Sequence, residues 1–99
     1  MRVILQEPHR LHAPMGRHQY RIKFTSKPDE HSRYNQPFAR IAQARDALVA
    51  WCKTNIDEDE QDWLLDPNTR WLYFVRESDM VLLQVFWQNR QIDEPPEDV

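Results

Sequence analysis

One glycine and one cysteine in 99 residues exclude more chemistry than any motif present suggests. A phosphate-cradling loop and a dinucleotide-binding fingerprint each need several glycines at fixed spacing, so neither can form around Gly16 alone. A lone Cys52 leaves no intramolecular disulfide and no cysteine-based zinc site. Long apolar runs are missing as well. The longest, Trp71–Val75 and Met80–Leu83, are strand-sized, and Val3-Ile4-Leu5 is far too short for the core of a signal peptide. The expectation is a cytoplasmic chain that makes no membrane contact.

Aromatic residues, by contrast, are plentiful: four Trp, four Phe and three Tyr. Each can remove roughly 150–250 Å² from water when buried, which lets a short chain build a core without covalent staples. With 40% hydrophobic and 29% charged residues, the chain has the balance of a single globular domain. Its net charge of −3 conceals a division. Residues 1–55 carry ten Lys/Arg against four Asp/Glu, and residues 56–99 carry three against twelve. Such polarity suits a charged partner surface, or else two halves that interleave and cancel.

The pattern along the chain predicts an α+β two-layer sandwich. One amphipathic helix packs on a mainly antiparallel sheet of three to five strands, in ββαββ or ββαβββ order, over residues 1–92. An acidic, proline-containing tail follows at 93–99. Val3-Ile4-Leu5 marks a first strand over 2–6 that Pro8 ends, and 6–18 reads as a loop. Tyr20, Ile22 and Phe24 alternate with Arg21, Lys23 and Thr25, the period-two signature of a half-buried strand over 19–25.

The helix is expected over 37–54. Pro37 suits its first turn, and Asn35 or Gln36 would cap it. Phe38, Ile41, Ala42, Arg45, Leu48, Val49 and Cys52 form its inward stripe, Arg40 faces solvent, and Asn55 ends it in a left-handed conformation. An acidic turn over 57–62, resembling a capping box at Asp57 and Glu60, leads to a short strand at 63–65. Asp66-Pro67-Asn68-Thr69 then turns the chain. Strands at 70–76 and 80–88 complete the sheet as a hairpin. Both carry apolar residues on both faces, so a second sheet face needs covering. Core candidates are Ile22, Phe24, Ile41, Leu48, Val49, Cys52, Phe74 and Leu83.

No catalytic residue stands out. Ser26, Ser32 and Ser78 lack the context of a nucleophile, and Cys52 reads as a small buried hydrophobe. His9 and His12 lack the further ligands of a metal site. The acidic run fails the calcium-loop pattern at Asp62 and Asn68, which stand where glycine and glutamate belong. Neither a metal nor any other cofactor is expected.

Two binding readings remain. Trp71, Tyr73 and Trp87 on the second sheet face would dock a protein partner or a second copy of the chain, making it a non-enzymatic regulator, adaptor or inhibitor. An accessory protein of a phage or mobile element would fit that size and charge. Alternatively, Arg17, Arg21, Lys23, Lys27 and Arg33 would bind nucleic acid.

Overall fold

A computed structural model describes residues 2–27, 37–59, 61–66, 68–88 and 90. The order is β1 (Arg2–Met15), β2 (His18–Lys27), α1 (Pro37–Asn55), β3 (Trp63–Leu65), β4 (Trp71–Phe74) and α2 (Glu77–Trp87). The four strands form one antiparallel sheet ordered β1-β2-β4-β3. The expected α+β class with an antiparallel sheet is found, but the described residues hold two helices, in the order ββαββα.

The first departure is β1. Pro8 does not end it, and 6–18 is no loop: the strand runs to Met15 and returns through a two-residue turn at Gly16-Arg17, with Met15 opposite His18. Gly16 has φ +60° while Arg17 keeps a negative φ, the pattern of a type II′ hairpin turn. Pro8 is accommodated because β1 is an edge strand with a bulge. Gln6 pairs with Lys23 and His9 with Arg21, so one extra residue is taken up between them, at Glu7 (φ 54°).

Register then sorts the side chains. Val3, Leu5, Tyr20, Ile22, Phe24, Leu72, Phe74, Trp63 and Leu65 share one face, and all are buried or packed against the core. Ala44, Leu48, Trp51 and Cys52 of α1 and Met80, Leu83 and Trp87 of α2 belong to the same cluster, so both helices lie on this face. Of the expected core, Ile22, Phe24, Leu48, Cys52, Phe74 and Leu83 are fully buried, and Ile41 and Val49 pack at its margin.

Helix α1 starts at Pro37, as its pattern predicts, although its cap residues Asn35 and Gln36 lie outside the described residues, as does the tail. Its inward stripe is rotated from the expectation. Phe38 is 90% exposed, Arg45 reaches Asp46 in solvent, and Arg40 is buried. Asn55 is not left-handed. Its side-chain amide donates to the Trp51 carbonyl (2.9 Å) and Thr54 Oγ1 to that of Ala50 (2.9 Å), each within the last turns, while the Cys52 carbonyl, left open by the helix end, takes the N–H groups of Ile56 (2.8 Å) and Asp57 (3.1 Å). Asp57 accepts from the Asp59 N–H (3.0 Å), which makes a turn rather than a second helical start.

The larger correction is at the expected strand 80–88, where Met80–Trp87 are helical, so no hairpin joins 70–76 to it. β4 pairs instead with β2 and β3. Met80, Leu83 and Trp87 are buried at spacings of three and four, while Val81, Leu82, Val85 and Phe86 are exposed. A strand would have put Leu83 and Val85 on one face. The acidic Glu77 and Asp79 occupy the first turn of α2, where the helix dipole favours them.

Candidate functional site

The sheet face opposite the helices carries Ile4, Arg21, Lys23, Thr25, Leu64, Trp71 and Tyr73, together with His9 beyond the bulge. Its centre is Trp71. The Arg21 guanidinium carbon stands 4.0 Å from the Trp71 ring centroid, Lys23 Nζ 5.8 Å, and the His9 ring meets it edge-on at 5.5 Å. Cations over an indole face are attracted by its quadrupole.

The β1 bulge builds this arrangement by turning His9 towards Arg21. His9 Nδ1 donates to the Glu7 carbonyl (2.9 Å), which leaves Nε2 as the acceptor for the Arg21 Nε–H (2.8 Å). Among the described residues, no carboxylate pairs with Arg21 or Lys23. The result is a basic patch with one aromatic at its heart. Tyr73 lies beside it but is buried, flanked in register by Arg21 and Leu64.

Two of the three residues expected to bind a partner are thus on this face. The third is not: Trp87 is buried on the core side of α2, because that segment is helical. Of the basic set, Arg21 and Lys23 flank Trp71, and Lys27 is exposed at the end of β2. Arg17 sits at the hairpin tip and pairs with Asp62 (2.9 Å), whose other oxygen takes Arg76 (2.8 Å). Here the basic and acidic halves do cancel. Arg33 lies outside the described residues.

The second surface is the outer side of α2, which strand periodicity had concealed. Val81, Leu82, Val85 and Phe86 are 44, 50, 66 and 38% exposed and follow one another at helical spacing. Glu77, Ser78, Val81, Leu82 and Val85 line a shallow depression along it. At its C-terminal end the Arg90 guanidinium carbon lies 3.9 Å from the Phe86 centroid, and Arg90 Nε donates to the Phe86 carbonyl (3.0 Å). Phe86 also packs on the Trp51 ring of α1, with centroids 5.5 Å apart, so Val81, Leu82 and Val85 are the more exposed members of the row.

Burial, with the nearby Asp79 charge, pushes the Cys52 thiol up to about 12, far from the thiolate that attack would require. Among the described residues, no group of three or more His, Cys, Asp or Glu is placed to hold a metal ion, and no helix is long and apolar enough to cross a membrane. No protein-family model matches the chain, and neither a curated protein nor a solved structure matches it significantly.

Proposed function

We propose that this chain is a small non-enzymatic protein-interaction module, a regulator, adaptor or inhibitor that acts by occupying a partner surface. The observation that supports this reading is the outward row of Val81, Leu82, Val85 and Phe86 on α2. Amphipathic helices are read by grooves and by other helices through residues at such spacings. The docking surface moves accordingly, from the sheet face carrying Trp71 and Tyr73 to the helix layer. Capture experiments from the producing cells test this, with the wild-type chain and Leu82→Ser/Val85→Ser as baits. Both positions are exposed, so the variant is expected to fold and to lose the partner. Retention of the same partners by the variant removes the helix surface from the reading.

A second reading rests on a separate observation, the Arg21, Lys23 and His9 cluster around Trp71 with no described carboxylate to neutralise it. Phosphates of a single-stranded nucleic acid would meet Lys23 and the outer nitrogens of Arg21, with affinity falling as salt rises. Retention on single-stranded DNA at low salt, lost in Arg21→Glu/Lys23→Glu, is the expected result. No retention at low salt would count against it.

A further inference from the structure

The basic sheet face does not end at Trp71. Lys23 pairs with Trp71 at the start of β4, and just before it the Phe24 N–H donates to the Arg70 carbonyl (2.8 Å), which holds Arg70 at the end of the sheet. The first turn of α1 comes to the same end. Lys23, Phe38, Asn68, Thr69, Arg70 and Trp71 there line one cleft of about 600 Å³, the size of a small-ligand site. Lys23 and Trp71 belong to cleft and patch alike, so the two are continuous.

The fold itself makes little use of this cleft. Phe38 is the most exposed large hydrophobic residue among those described, while Ala44, Leu48 and Cys52 supply the inward side of α1. Neither Lys23 nor Arg70 makes an ion pair among the described residues, and the Arg70 guanidinium has only a long contact with Thr25 Oγ1 (3.4 Å). The Asp66 carboxylate of the same turn accepts from the Asn68 N–H (2.9 Å) and does not line the cleft. Thr69 Oγ1 accepts from the Trp71 N–H (3.3 Å), which leaves its O–H to donate elsewhere. Two cations, a hydroxyl donor and an open aromatic ring complement a phosphate carried beside a flat base. The base must be unpaired, because a duplex keeps its faces stacked.

Granting that the sheet face binds polyanions, on which this step rests, we infer that the cleft holds one nucleotide of a single-stranded nucleic acid. Its base stacks on Phe38, its phosphate meets Lys23 and Arg70, and the strand continues across Arg21 on the sheet face.

Fluorescence anisotropy of a labelled oligothymidylate over a series of salt concentrations tests this with Phe38→Ala and Arg70→Gln. Both positions are exposed, and circular dichroism checks that each variant is folded. Phe38→Ala should weaken binding about five-fold or more, as the loss of one base stack does, without altering the salt dependence. Arg70→Gln should reduce the slope of log affinity against log salt by about 0.7, the single-strand value for one phosphate contact. An abasic strand of the same length, and heparin, should bind wild type and Phe38→Ala alike, since neither carries a base to stack.

Unchanged affinity of Phe38→Ala for oligothymidylate, or an equal loss for the abasic strand, overturns the stacked base. An unchanged salt slope in Arg70→Gln overturns the phosphate contact. If either occurs while Arg21→Glu/Lys23→Glu still abolishes binding, the cleft is lost and polyanion binding by the sheet face stands. No binding by wild type at low salt overturns both.

Discussion

Truncating Leu83 and Val85 in turn should separate the helical geometry of α2 from the alternation that its sequence also permits. Leu83 is fully buried among side chains of both helices and the sheet, and Val85 is 66% exposed. Leu83→Ala loses the transfer free energy of the deleted carbons and leaves a cavity that neighbours fill only in part, for about 3 kcal/mol. Val85→Ala removes atoms already in water and should stay within about 0.5 kcal/mol. With a urea slope of about 1.5 kcal/mol/M, the first change lowers the midpoint by about 2 M and the second by no more than about 0.3 M. In thermal terms Leu83→Ala should cost about 12–24 °C, since a domain of this size loses about 4–8 °C per kcal/mol.

Trp51, Trp63 and Trp87 lie in the same cluster, so intrinsic fluorescence reports the transition directly. A strand would bury Leu83 and Val85 together on one face, and the two truncations would then cost alike. Equal midpoint shifts would falsify the helical packing of α2.

Two further expectations come from single residues. Cys52, with its thiol pushed up to about 12, should resist thiol reagents at about pH 8 in the native protein and react fully once unfolded. Because the folded value lies above the ordinary 9.0, the neutral thiol contributes stability that is present below pH 9.0 and lost as pH rises towards about 12. Wild type should therefore lose stability more steeply than Cys52→Ala across that window. Equal labelling rates for native and unfolded protein, or identical alkaline slopes, would contradict the burial. At Gly16 an added Cβ meets nothing within 4 Å, so Gly16→Ala carries only the cost of a left-handed backbone, about 1 kcal/mol. Gly16→Asn should recover part of it, and a neutral Gly16→Ala would mean that the turn takes another form.

Where one period dominates, the elements are legible. Tyr20, Ile22 and Phe24 mark the inner face of β2, and Ile41, Leu48 and Cys52 the inner side of α1, because each pattern fits a single geometry. Arg40 and Arg45 show the limit of that logic. The stripe of α1 is narrow, and a rotation of a fraction of a turn exchanges which arginine lies beneath it.

The segment Met80–Trp87 defeats periodicity because nearly every position is apolar. Val81, Leu83, Val85 and Trp87 satisfy alternation, while Met80, Leu83 and Trp87 satisfy helical spacing. The deciding signs are local: Ser78 and Asp79 before the run, acids in its first turn, and Leu-rich rather than wholly β-branched composition. Apolar residues on both faces of a supposed strand are themselves a sign of the wrong period. Pro8 misleads in the opposite sense. Proline reads as a terminator, yet an edge strand tolerates it at a bulge, and the two-residue Gly16-Arg17 turn between Met15 and His18 is the stronger signal.

The corrected geometry also alters how the two binding readings stand to each other. As sequence, Trp71 and Trp87 form one candidate surface competing with the basic residues. In the fold Trp71 joins Arg21 and Lys23 on the sheet face opposite the core cluster, Trp87 goes to the core, and the exposed part of α2 lies on the far side of the helix layer. The buried cluster separates the two surfaces, so substitutions on one should add to those on the other without coupling. Arg21→Glu/Lys23→Glu should leave partner capture through α2 unchanged, and Val85→Glu should leave any polyanion binding by the sheet face unchanged. A variant of one surface that loses the binding assigned to the other would show that the two surfaces are coupled after all.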